Sequence, residues 1–185
     1  MGKEKKKLLI ITASPRKKGN TLAASKIFKT AIQGKFRIKQ IRINDFCIEH
    51  CTGCLKCRTK KKCVIKDDAR CIIALAEKSS VIAVFSPVYF TGVPSALKAF
   101  IDRNQPLWFK NKNKARVKKG IIVLLASETG KKNFFPAETE IKSYLAVNRA
   151  GTVKVLRLPG MDGPGDIEKN PAAVRKIIKI AKRLV

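Results

Sequence analysis

Acidic side chains are scarce: 13 Asp and Glu stand against 41 Lys and Arg, for a formal net charge of +28 over 185 residues. Aromatic residues are few as well, at 6%, and there is one histidine. The shortage of aromatics removes the stacking platform of an RNP-type RNA reader, and neither zinc-finger spacing nor a basic leucine zipper accompanies the charge. Lys and Arg are spread through every segment rather than gathered in a stripe. The charge therefore reads as a heavily solvated surface, of the kind a thermophile or a high-salt cytoplasm favours, and argues against a nucleic-acid partner. It should still steer anionic partners, nucleotides and acidic proteins among them. No apolar run approaches the ~18–20 residues of a membrane-crossing helix. The opening MGKEKKKLLIITA has charges and then a short apolar run, as a signal peptide would, but Ser14-Pro15-Arg16-Lys17-Lys18 follows where a small-residue cleavage site belongs. Leu8–Ala13 then reads as a strand, and a cytoplasmic location is expected. Cysteine is absent outside positions 47–71. A disulfide framework would staple distant segments, so six cysteines in one stretch favour metal or redox chemistry.

What is present is a regular alternation. Five strand candidates, Lys7–Ala13, Phe36–Asn44, Val81–Ser86, Gly120–Ser127 and Thr152–Leu158, are interleaved with helical patterns. Ile27, Phe28, Ala31 and Ile32 carry the first helix, and Asp67–Lys78 covers the second. Val93, Ala96, Leu97, Phe100 and Ile101 carry the third, Pro136–Arg149 covers the fourth, and Val174, Ile177, Ile178 and Ala181 carry the last. LLIITA, VIAVF and IIVLLA are continuous apolar runs, as strands covered on both faces require, whereas FRIKQIRI and TVKVLRL mix in charge as edge strands do. Alternating β and α units imply a parallel sheet with right-handed crossovers. With the first, third and fourth strands inside, the fold class is α/β, a flavodoxin-like three-layer sandwich with a five-stranded parallel sheet of order 2-1-3-4-5. One domain over residues 1–185 is expected, with a cysteine-rich loop at 47–63; the basic stretch Lys110–Lys119 reads as a surface loop.

Two loops at carboxyl ends of strands could hold a ligand. After the first strand comes Ser14-Pro-Arg-Lys-Lys-Gly-Asn-Thr21 and then a helix, whose N-terminus presents unpaired N–H groups and the positive dipole end. Ser14, Asn20 and Thr21 add short donors, Gly19 permits close backbone approach and Arg16 can pair with a phosphate. The Gly-Lys-Ser/Thr ending of a Walker A loop is missing. The bland alternative is a turn capped by Asn20 or Thr21. After the third strand comes Ser86-Pro-Val-Tyr-Phe-Thr-Gly-Val-Pro94, beside the first loop at the switch point of such a sheet. Tyr89 and Phe90 offer flat surfaces there, or else close the core.

The cysteines read Cys51-x2-Cys54-x2-Cys57-x5-Cys63. Four closely spaced thiolates can wrap a [4Fe–4S] cluster; a zinc site with four cysteine ligands is chemically possible, although zinc more often takes two separated pairs. Lys56, Arg58, Lys60, Lys61 and Lys62 would offset the charge of a cluster, or form a solvated loop. Cys71, beside Ile72 and Ile73, reads as a buried structural thiol; Cys47 has no assigned role and His50 reads as a loop residue. Trp108 and Phe109 could form a dimer contact, a lid over a cofactor or plain core. Gly160–Gly165 reads as a turn.

SPRKKGNT, the cluster ending CVIKDD, and SPVYFTGVPSALKAFIDR together resemble the NADPH-dependent FMN reductase family, within it the iron-sulfur flavoprotein branch. The resemblance implies FMN bound without a covalent bond, its phosphate on Ser14, Arg16, Asn20 and Thr21, its ring against Pro87, Val88, Tyr89, Phe90 and Gly92. The loop after the fourth strand, which commonly carries a glycine pair near the flavin, has one glycine here, in Ser127–Lys131. The resemblance also implies a [4Fe–4S] cluster on Cys51, Cys54, Cys57 and Cys63 exchanging electrons with FMN, a donor such as NAD(P)H or ferredoxin, and a homodimer or homotetramer. No side-chain acid or base is required, so no catalytic residue is assigned. Two other readings stay open: a cluster-free NAD(P)H-dependent FMN or quinone reductase, and a basic nucleic-acid-binding module with a structural zinc.

Overall fold

The computed structural model describes residues 4–111, 114–127 and 131–185. Its elements run β1 Lys7–Thr12, α1 Asn20–Ala31, β2 Arg37–Arg42, α2 Lys56–Lys60, α3 Ala69–Lys78, β3 Val81–Pro87, α4 Ser95–Asp102, α5 Gln105–Asn111, β4 Lys118–Leu125, α6 Phe135–Val147, β5 Ala150–Leu158 and α7 Pro171–Lys182. All strand pairs are parallel, and the sheet order is β2-β1-β3-β4-β5, the flavodoxin-like order that the placement of the apolar runs implies.

Period-two alternation sends each inner strand to two cores. Leu9, Ile11, Ile82, Val84, Ile122 and Leu124 face α3, α4 and α6 through Ile72, Leu97, Phe100 and Ile141. Leu8, Ile10, Ala83, Phe85, Ile121 and Val123 face α1 and α7 through Phe28, Ile32 and Ile177. Burying each such Leu, Ile or Phe contributes about 1.5–3 kcal/mol, so these faces fix the register. Phe28 meets Phe85 edge-on with ring centroids 5.3 Å apart.

Differences from the sequence reading are local. A short helix, α2, forms inside the expected cysteine loop, and another, α5, which had no element assigned, runs into Lys110 and Asn111 of the expected basic loop. Lys118 and Lys119, expected in a surface loop, begin β4, and the Lys118 ammonium donates to the terminal carbonyls of α3 at Ala76 and Glu77, both at 2.8 Å. Residues 112 and 113 of that stretch lie outside the described residues. Cys71 is exposed rather than buried, because α3 turns Ala69, Ile72 and Ala76 to the core and leaves Cys71 on its outer face.

Candidate functional site

β1 hands the chain to its loop at Ala13, whose N–H donates to Phe85 O at 2.9 Å. Ser14 and Thr21 are buried, and the Ser14 hydroxyl accepts the Arg16 N–H at 3.2 Å. The loop closes tightly at Gly19, where a Cβ would stand 3.0 Å from Arg16 Cβ and 3.3 Å from Ser14 Oγ. Gly19 itself is the N-cap of α1, no side chain caps the helix, and no acidic residue sits in its first turn. The capped-turn alternative therefore fails, and the helix N-terminus keeps its positive end. Asn20 is turned elsewhere: its amide donates to Gly163 O at 2.8 Å and its oxygen accepts the Ile167 N–H at 3.3 Å. Arg16 Nη1 donates to Asp162 O at 2.9 Å. The Gly160–Gly165 segment, read from sequence as a turn alone, is thus fastened across the first loop.

The second loop leaves β3 at Pro87. Val88 N–H donates to Leu125 O at 2.8 Å, and Tyr89 and Gly92 exchange backbone hydrogen bonds of 3.0 and 2.9 Å. Between them Phe90 and Thr91 both have positive φ, 46° and 64°, the mirror-image turn that glycine or asparagine normally occupies. Strain of this kind persists only where the surroundings impose it: Ala137 N–H donates to Thr91 O at 3.1 Å and Val93 N–H to Glu140 Oε2 at 3.2 Å. Phe90 stands wholly in solvent, at 105% relative exposure, and Tyr89 is partly exposed, so neither ring closes the core.

The two loops enclose one cavity of about 270 Å³. Ser14, Arg16, Asn20 and Thr21 line it from one side, and Pro87, Val88, Tyr89 and Phe90 from the other. Gly92 closes the turn instead of lining the cavity. Ala126, Ser127, Met161 and Asp162 complete the wall. Ser127 opens the loop after the fourth strand that the resemblance put near the flavin, whereas Ala126, Met161 and Asp162 the sequence reading missed, although the glycines at 160, 163 and 165 beside a strand end were a usable signal. Residues 128–130, the rest of the loop after β4, lie outside the described residues. Trp108, half exposed on α5, lines a separate hollow of about 600 Å³ between α4, α5 and α6. It takes no part in the two-loop cavity.

The cysteine segment follows β2. Its entering and leaving arms are tied by the acidic pair that ends it: Cys47 N–H donates to Asp68 Oδ2 at 2.8 Å and Glu49 N–H to Asp67 Oδ2 at 2.9 Å. Asp67 also pairs with the buried Arg103 guanidinium, and burial, which would raise its pKa, is outweighed by that partner and the N–H donors, so the carboxyl titrates low. Leu55, Lys61 and Gly53 hold left-handed backbone, at φ 54°, 53° and 65°, folding the segment back on itself. Cys51, Cys54, Cys57 and Cys63 all line one small cavity of about 20 Å³ with Arg103. The backbone N–H of Lys56 draws the Cys54 thiol pKa down, whereas burial, and then the neighbouring cysteines, push Cys57 up. No group of three or more His, Cys, Asp or Glu among the described residues is disposed to hold a metal ion. His50 is exposed in the loop, and Lys61 lies 5.9 Å over the Phe109 ring, joining α2 to α5.

A family model described as NADPH-dependent FMN reductase matches residues 6–156. An iron-sulfur flavoprotein of Archaeoglobus fulgidus is 35% identical over 117 residues, 61% of this chain and 52% of that protein. An iron-sulfur flavoprotein of Methanocaldococcus jannaschii is 34% identical over 131 residues, 67% of this chain and 64% of that protein. The chain thus spans between about half and two thirds of the length of these relatives. Among solved structures, the NAD(P)H:quinone oxidoreductase from Methanothermobacter marburgensis superposes with a TM-score of 0.71 at 14% identity, covering 97% of each chain. An FMN-dependent NADH-azoreductase from Bacillus anthracis, solved in complex with FMN, gives 0.70 at 14% identity over 96% of this chain and 99% of the other. At that identity these two structures speak for the fold alone.

Proposed function

We propose that this chain, which belongs to the NADPH-dependent FMN reductase family, is an FMN-dependent oxidoreductase that passes electrons between a [4Fe–4S] cluster and FMN. The observation that carries the flavin half is the single cavity between the loops after β1 and β3, at the switch point where open α/β sheets bind ligands. Its donor set fits FMN: an uncapped helix N-terminus and the Ser14 and Thr21 hydroxyls for the phosphate, Pro87 to Phe90 for the ring. Arg16 adds a cation at the rim, and Asn20 holds the Met161–Gly163 wall in place. Bound there, FMN supplies the redox chemistry, so the protein needs to bind, orient and shield it rather than to contribute an acid or base.

The cluster half is supported by four cysteines lining one cavity and by the names of the two archaeal relatives. The donor set fits. In a cubane each cysteine binds a different iron, so its sulfurs stand further apart than four ligands around one zinc ion. Four cysteines on one loop around one cavity suit a cluster better than a zinc, which more often takes two separated cysteine pairs. Cys51, Cys54, Cys57 and Cys63 would hold it, while Asp67 and Asp68 keep the two arms of the loop together. The loop springs from β2, the neighbour of β1, so both sites share the carboxyl edge of the sheet. The reading extends to one FMN-binding domain over residues 1–185, to NAD(P)H or a ferredoxin as electron donor, to a homodimer or homotetramer and to a cytoplasmic setting that keeps thiols reduced. No helix among the described residues is long and apolar enough to cross a membrane. That no group of three or more His, Cys, Asp or Glu among the described residues is disposed to hold a metal ion favours, as second reading, a cluster-free NAD(P)H-dependent FMN or quinone reductase. Anaerobic purification with a visible spectrum and assays of iron and acid-labile sulfide separates the two. Flavin bands with a broad added shoulder and about four irons per chain are expected for a cubane. Flavin without iron favours the second reading, and colourless protein refutes both.

A further inference from the structure

One buried cation holds the cysteine loop together from a distant part of the chain. Arg103, immediately after α4, has no exposed side-chain surface. Its Nη1 donates to Glu49 O at 2.8 Å and its Nη2 to Ile65 O at 3.3 Å, so one guanidinium spans the arm entering the four-cysteine segment and the arm leaving it. Both terminal nitrogens also donate to Asp67, which in turn accepts the Glu49 and Ala69 N–H groups. Nε remains: it is buried and has no partner. Leaving such a donor unsatisfied is costly, and an orphan of this kind asks for a group that completes it. Arg103 lines the small cavity shared by Cys51, Cys54, Cys57 and Cys63. The two other orphaned atoms among the described residues, the Tyr144 hydroxyl and Asn148 Oδ1, line no part of that cavity.

We propose that Arg103 is a positioning residue for the cluster: its terminal nitrogens fix the mouth of the cysteine loop, and its free Nε–H donates to a sulfur of the bound cluster. The inference rests on the cluster reading above. Hydrogen bonds to the sulfurs and local charge set the potential of an iron–sulfur centre. Asp67 neutralises much of the guanidinium charge, so the N–H to sulfur bond carries most of the effect. Partners that orient ligands in this way hold metal affinity by about 10–100-fold.

The test uses the full chain, prepared anaerobically, as Arg103→Lys and as the double variant Arg103→Met with Asp67→Asn, which removes the buried pair without stranding a carboxylate. Iron and sulfide content, FMN content, loss of iron to a chelator and the cluster midpoint potential are measured. Both variants should keep FMN, and should release iron about tenfold faster or more, with a midpoint potential below the wild type; outright loss of the cluster with FMN retained supports the role equally. Wild-type potential and chelator resistance in both variants overturn the role of Arg103. Loss of FMN together with the cluster also overturns it, since the residue would then serve the fold at large. Wild-type protein that binds FMN but no iron, matching Cys57→Ser, overturns the cluster reading itself.

Discussion

Thr21, buried in the first turn of α1, and Arg16, on the loop before it, are the side chains on which phosphate binding should depend most. Neither is needed to hold the sheet together, because the two cores lie on strand faces below the loop. Arg16→Ala combined with Thr21→Ala should weaken FMN binding tenfold or more, roughly the 1.5–3 kcal/mol of a lost charge-assisted hydrogen bond. Thermal stability of the flavin-free protein should change little. Titration by quenching of flavin fluorescence, with a melt alongside, reads both; wild-type affinity in the double variant would refute the assignment. Arg16 also donates to Asp162 O, so part of the loss comes from a loosened Met161–Gly163 wall.

Two elements lend themselves to separate tests. The cysteine loop and the flavin loops leave different strands, so Cys54→Ser or Cys57→Ser should abolish or greatly reduce bound iron while FMN stays, by iron assay and visible spectrum. Cys71→Ser should leave iron unchanged, since that thiol lies on the outer face of α3 and not in the four-cysteine cavity. Iron lost equally in Cys71→Ser would sink the four-ligand assignment. The second element is α6, pinned to β5 by a buried carboxylate: Glu138 takes ion pairs from Lys142 at 2.6 Å and from Arg157. Burial would push this carboxyl up, but the hydrogen bonds from Lys142 and Arg157 outweigh it and hold its pKa below the ordinary carboxylate value. A lowered folded-state pKa contributes stability that is present above the unfolded value of about 4.3 and is lost as pH falls through the folded one. Denaturant midpoints measured from pH 6 down to about pH 3 should therefore fall less steeply in Glu138→Gln than in the wild type. Equal slopes would show that the pair does not couple folding to pH.

The whole molecule carries +28 with its cations on every segment. Fields of that size raise encounter rates with anions and are screened over a Debye length of about 10 Å at 0.1 M salt. Flavin reduction by NADPH, which is anionic, should slow as ionic strength rises, while reoxidation by an uncharged quinone should respond much less. Stopped-flow traces across a salt series test this, and equal slopes for the two reactants would mean that the charge serves solubility alone.

At this same scale the sequence determined the sheet order, because three continuous apolar runs must be covered on both faces and two mixed ones need not be. It also determined which loops meet, since strands one and three are neighbours in that order, and it marked four cysteines as one group through spacing alone. Tertiary structure decided the rest. The N-cap fell to Gly19 because Asn20 was recruited 143 residues downstream to Gly163, and local propensity carries no trace of that partner. Cys71 sits outside rather than inside because helix rotation is set by which face meets the sheet, and Cys71 lies just off the Ala69, Ile72 and Ala76 stripe. Arg103 reads in sequence as the charged end of a helix; only folding brings it to Asp67, 36 positions back, and makes it the buried clamp of the cysteine loop.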